Sequence, residues 1–263
     1  YRFVVTFLLF VLMISFSQGQ NGSEQERLHY TARHTRKPPR IDGKITRHEW
    51  NRAPWSSRFI DIEGPMQPAP PWETRYKLLW DDEYLYVLAV LQESHLWATL
   101  TTPDAIIFQD HDFEIFLDPD RDQQQYLEIE INALGTIFDL FMDKPYNKGG
   151  KADIGWNLQG LRSAVSLQGT LNDPRDQDTG WIVEMAIPFQ GMTIAKGQRP
   201  SPGDSWAINF SRVEWELDRD AAGYHKRLNE QGKPLPEHNW VWSPQGVINM
   251  HVPERWGWVR FTR

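Results

Sequence analysis

Apolar side chains recur at every second position through much of this chain, and that period decides what it can fold into. Phe113, Ile115 and Leu117 alternate with Glu114, Phe116 and Asp118; Leu127, Ile129 and Ile131 alternate with Glu128, Glu130 and Asn132. Successive side chains of a strand point to opposite faces, so this spacing predicts strands with one apolar face. Thr74–Trp80 and Tyr84–Leu91 flank Asp81-Asp82-Glu83 and read as a hairpin. Residues 135–142, Ala164–Leu171, Trp181–Ile187, Ser205–Trp215, Trp240–Trp242 and Trp256–Phe261 complete the set, with turns such as Asp118-Pro119 and Asn172-Asp173-Pro174 between them. Helical signal is confined to a turn near Arg47–Arg52 and to Pro188–Met192. Many short strands with few helices predict an all-β sandwich, of immunoglobulin- or jelly-roll-like type, or a barrel.

The organisation follows from the ends. Phe3–Ile14 is apolar except for Thr6, too short to span a bilayer, and followed by Ser17 and Gly19 ahead of Gln20. This is the pattern of a signal peptide over residues 1–19, and it predicts a secreted or periplasmic protein. Residues 20–37 are polar, lack periodicity and read as a flexible linker, with a glycosylation sequon at Asn21. Residues 38–263 then form one domain. The chain has no cysteine, so disulfides and thiolate chemistry are excluded, and its formal charge of -7 argues against nucleic acid or anionic lipid as partner. No second apolar run is long enough for a membrane span. It carries 13 tryptophans, an excess that points to aromatic binding surface beyond core needs.

Ile41-Asp42-Gly43-Lys44-Ile45 with Glu49-Trp50, Leu79-Trp80-Asp81-Asp82-Glu83-Tyr84-Leu85-Tyr86-Val87, Asp112–Asp120, Gly180–Pro188, Trp206–Phe210 and Trp256–Phe261 occur in an order that resembles carbohydrate-binding module family 9. The resemblance implies a sandwich of the DOMON-like superfamily, structural calcium, and non-catalytic binding of glycan or polysaccharide in support of carbohydrate catabolism, beside partner glycoside hydrolases. In sugar-binding members one sugar lies between two tryptophans. Their positions fall here on Phe108 and Met250. The family's central glutamate falls on Glu114, its asparagine on Asn132, its arginine on Glu130, and a later glutamine near Ser211, with Arg212 beside it.

Sugars need flat aromatics for their C–H faces and bidentate polar groups for their hydroxyls. Arg212 is a candidate to replace the arginine lost at Glu130. Trp240 and Trp242, on one strand face, are candidates to replace the stacking surface lost at Met250. Trp97, Trp156 and Trp256 are further loop candidates, whereas Trp50, Trp55, Trp80, Trp181 and Trp206 read as core. Asp118, Asp120 and Asp122 place hard oxygen ligands at alternate positions and form a candidate calcium turn, with Asp173, Asp176 and Asp178 as a weaker one. Two other readings stay open. Glu128 and Glu130, about 7 Å apart on one strand face, with Glu114, could serve a glycosidase. Met250 and His251 suggest b-type haem, although neighbours on a strand would point apart.

Overall fold

The structure, a computed structural model, describes residues 27–45 and 48–263; the signal-peptide reading of 1–19 and the sequon at Asn21 lie outside the described residues. Fifteen strands follow in chain order: β1 (His29–His34), β2 (Ile60–Asp61), β3 (Thr74–Trp80), β4 (Tyr84–Gln92) and β5 (Asp112–Asp118). Then come β6 (Tyr126–Asn132), β7 (Ile137–Met142), β8 (Ala152–Asp153), β9 (Arg162–Gln168) and β10 (Gly180–Pro188). The last five are β11 (Ser205–Glu214), β12 (Leu217–Asp220), β13 (Gly223–Lys226), β14 (His238–Val241) and β15 (Gly257–Thr262). Helix among the described residues is limited to short 3-10 turns, one of them at Phe189–Ala195 as expected, while residues 48–53 form plain turns. No described helix is long and apolar enough to cross a membrane.

Hydrogen bonding runs in the order β8-β7-β6-β5-β11-β15-β1-β3-β4-β10-β9, with β14 and β2 beside the second half of β11. The sheet folds over on itself into a sandwich. Phe113, Ile115, Ile129 and Phe210 from one layer pack in a single core with Tyr76, Leu78, Val87, Val183 and Met185 from the other. Placing such side chains in a shared interior supplies the dominant favourable free energy of folding.

Strand β1 joins the layers. It pairs in parallel with β15 over His29–Arg33 and with β3 through Arg33 and His34. The boundary at residue 38 is therefore corrected: residues 29–34, within the expected linker, are a strand whose Tyr30 and Ala32 are buried. The opening motif is pinned at the other layer. Glu184 of β10 accepts the N–H groups of Asp42 and Gly43 and the indole N–H of Trp50. Gly43 has φ +73°, and a Cβ there would come within 3.1 Å of the Val165 carbonyl oxygen, so glycine suits both backbone and space.

Candidate functional site

Strands β5 and β6 are buried on both faces, unlike the half-exposed strands their alternation suggests. With the Phe113 and Ile129 sets turned inward, Asp112, Glu114 and Phe116 of β5 and Glu128, Glu130 and Asn132 of β6 share the outer face, Glu114 directly opposite Glu130. Two segments cover this face: the turn around Ile107–Gln109 and the loop leading into Pro253–Arg255. Between them lies a cleft of about 310 Å³, with Glu114, Glu128 and Glu130 at its floor and Phe108, Tyr146, Met250 and His251 at its sides.

Both lips are held from behind by tryptophan. Trp215 donates its indole N–H to the Phe108 carbonyl at 2.9 Å, and Trp256 donates to the Met250 carbonyl at 2.9 Å. Trp256 is fully buried against Phe116 and Tyr126. The floor holds its lip as well, since the Phe108 N–H donates to Glu130 Oε2 at 2.8 Å.

Charge in the cleft is one-sided. Burial pushes the Glu114 carboxyl up to about 7, with the Ser211 hydroxyl opposing and Glu237 adding. Burial and mutual repulsion put Glu128 and Glu130 well above the ordinary range. Glu114 Oε2 and Glu128 Oε2 are buried without a hydrogen-bond partner, a costly state for such groups. His251 does not neutralise them. Burial pushes it down to about 4, its Nδ1 shares a hydrogen bond with the Tyr126 hydroxyl at 2.9 Å, and its Nε2 stands 3.6 Å from Glu128.

Of the seven candidate sugar residues, Phe108, Glu114 and Met250 line this one cleft, and four do not. Arg212 follows Ser211, which stands opposite Glu114, so strand parity turns it to the inner side of β11. There it is wholly buried, 2.6 Å from Glu93 and 2.8 Å from Glu214, and it donates to the Gln92 carbonyl. Arg212 therefore reaches neither this cleft nor Glu114. Trp240 and Trp242 share a face, as expected, but it is the same inner face, and both are core. Asn132 lies on the correct face, yet its amide is fully engaged: it donates to the Leu100 carbonyl and Asp110 and accepts from Leu134 and Thr136 N–H.

Trp240 instead lines a larger cleft, about 620 Å³, with Trp72 and Trp215. Its polar base is the Arg212 cluster. Burial alone would raise Glu93, but His111 and Arg212 hold it far below the ordinary range. His111 Nδ1 stands 3.4 Å from both Glu93 and Glu214; burial opposes a charge on the imidazole, but the two carboxylates together push it up. These charges balance internally, so size alone does not make this cleft the site.

The remaining candidates fall as follows. Asp118, Asp120 and Asp122 offer oxygens within 4.8 Å of one another. Asp118 already accepts the N–H groups of Arg121 and Gln123, and Lys196 sits 2.9 Å from Asp120 and also pairs with Asp122. Asp173 pairs with Arg175 and Asp178 caps Leu96 and Thr170, so the second acidic group is not assembled. Trp55 is 41 % exposed rather than core, under Lys77. Trp97 is buried, and Trp156 packs on the main core. Met250 and His251 lie in a loop, not a strand, and both face the cleft. The parity argument against haem therefore does not hold here.

A sandwich with a polar, aromatic-sided cleft on one outer face is the build of a small-ligand binding module. Residues 41–230 match the family described as "Carbohydrate family 9 binding domain-like", and the chain belongs to it. It is 29 % identical over 162 residues to "Exoglucanase XynX" of Acetivibrio thermocellus, and 31 % identical over 159 residues to "Endo-1,4-beta-xylanase A" of Thermoanaerobacterium saccharolyticum. Each match covers 60 % of this chain but only 12 % of the relative. The fold is similar to a carbohydrate-binding module family 9 of Caldicellulosiruptor kristjanssonii in complex with cellotriose, at TM-score 0.56 and 19 % identity, over 90 % of this chain and 94 % of that one.

Proposed function

We propose that the cleft between Phe108 and Met250 binds carbohydrate without hydrolysing it, in an exported protein that assists glycoside hydrolases acting on polysaccharide. The observation that carries this is the convergence of Phe108, Glu114 and Met250 on one cleft whose floor carries buried carboxylate oxygens without partners. Sugar hydroxyls are donors of the kind those oxygens lack. Phe108 offers a flat face, and Met250 fills space beside it.

The electrostatics support binding rather than catalysis. A glycosidase divides an acid and a base or nucleophile between two carboxyls, and their surroundings drive the two apart. Here burial drives Glu114, Glu128 and Glu130 all upward. The relatives, named as an exoglucanase and a xylanase, support the association with hydrolases. At the Asp118–Asp122 turn we read Lys196 as the resident positive charge, which calcium must displace to bind.

A glycan array on the purified chain, followed by calorimetry, tests the reading. Glu114→Ala is expected to lower affinity by about 1.5–3 kcal/mol, the worth of a charge-assisted hydrogen bond, while the chain still melts cooperatively. Retained binding in both Glu114→Ala and Phe108→Ala would move the site elsewhere. Release of reducing sugar from the bound glycan would refute the non-catalytic part.

A further inference from the structure

The outer-face cleft and the Arg212 cluster pose the same electrostatic problem, and only one of them contains its own solution. At the inner face of β11, two buried glutamates are held together by a guanidinium at 2.6 and 2.8 Å. On the outer face, Glu114, Glu128 and Glu130 are each at most 5 % exposed, with Asp112 buried behind them and Glu237 at the cleft wall. No lysine or arginine is among the described residues that line this cleft, and His251, pushed down by burial, is neutral. Asp112 Oδ2, Glu114 Oε2 and Glu128 Oε2 are buried and without hydrogen-bond partners.

We infer that this cleft selects an amino sugar, whose ammonium group sits between Glu114 and Glu130. The inference rests on the carbohydrate reading of the same cleft and adds the ligand's class. Glu114 and Glu130 are direct cross-strand partners, and carboxylate oxygens of Asp112, Glu114 and Glu130 lie within 4.8 Å of one another. An ammonium nitrogen about 2.8 Å from each acceptor, with tetrahedral N–H directions, holds such acceptors about 4.6 Å apart. It brings three donors and a full charge, where a hydroxyl brings one donor and none. A cation held there relieves the repulsion among carboxyls that have no counter-ion of their own. Phe108 and Tyr146 at the cleft sides suit a ring carrying the amine better than a bare ion, which needs six or more oxygen ligands and would use none of that surface.

Three ligands that differ only at C2 make the test: the β-1,4-linked glucosamine trimer, its N-acetylated counterpart and cellotriose. Each is titrated into the whole chain by calorimetry, and calcium chloride alone is a fourth titrant. The glucosamine trimer is expected to bind at least about 10-fold more tightly than the other two, equivalent to about 1.4 kcal/mol. Glu130→Gln and Glu114→Gln should remove that preference and leave the melting profile cooperative. Because removing a buried charge leaves the shape intact, these variants are expected to fold. If cellotriose binds as tightly as the glucosamine trimer, the inference fails while the carbohydrate reading stands. If none of the three sugars binds, both fail. If calcium binds in a Glu130-dependent manner and the amine brings no gain, the cluster is a metal site and the inference is overturned.

Discussion

Glu93 and Glu214 on the inner side of β11, and Glu114, Glu128 and Glu130 on its outer side, are both groups of buried carboxyls beside aromatic rings. They differ in one component. Arg212 stands within the first group and contacts both glutamates; the second has no protein cation among its described lining residues. A buried charge group that is internally paired serves the fold. One that is left unpaired costs stability, and a ligand can offset that cost. The difference therefore separates a strut from the proposed binding site, even though the strut borders the larger cleft.

The largest expected effect breaks the strut. Arg212→Met leaves Glu93 and Glu214 buried without their cation and is expected to cost roughly 3–5 kcal/mol of unfolding free energy. Urea denaturation measures it, and a loss below about 1 kcal/mol would remove the basis for the contrast.

Next comes pH. Glu114 is pushed up to about 7 by burial, against about 4.3 in an unfolded chain. The folded state then binds more protons than the unfolded one between these values. The contribution of this group to stability is greatest below about pH 4.3, falls as pH rises to about 7, and is level above that. Glu114→Gln should remove roughly 3 kcal/mol of that decline, read as the change in urea-derived stability between pH 4.5 and 8. An unchanged slope would mean that Glu114 titrates normally.

Smaller is the effect of Trp256→Phe, which deletes the indole N–H that holds the Met250 carbonyl. A loss of about 1–3 kcal/mol in stability, together with weaker sugar binding, would show that the lip is positioned from behind. The smallest effect is at the acidic turn. Lys196 already pairs with Asp120 and Asp122, so the melting temperature of the wild type should barely respond to calcium or chelator. Lys196→Met should acquire a response. An equal calcium shift in both would show that the lysine is no competitor.

Much of this was readable from period two, because alternation in the segments of β5 and β6 fixes both strand and face, whereas β4 and β10 are nearly continuous apolar runs that mark a strand buried on both sides. The same parity, applied to β11, places Arg212 opposite to Glu114; ranking Arg212 by closeness in sequence overlooked it. Strand β1 escaped notice since His29, Thr31 and Arg33 surround its two buried residues, although Tyr30 and Ala32 do alternate. Asn132 could not be judged from sequence, because its partners come from Leu100 and Asp110, distant in the chain. Trp215 and Trp256 as supports of the lips were likewise invisible: an indole N–H finds its carbonyl only once the loops have closed.

The position of β1 also sets how the module responds to being pulled. The chain enters β1 at Leu28 and leaves β15 at Arg263, and the two strands run parallel with five residue pairs in register from His29–Trp258 to Arg33–Thr262. Tension applied at those two points acts along the strands in opposite directions. The hydrogen bonds between β1 and β15 then bear the load together, in shear, instead of opening one after another as a zipper does. A pull between those two points would therefore fall along the direction in which the five pairs resist as one.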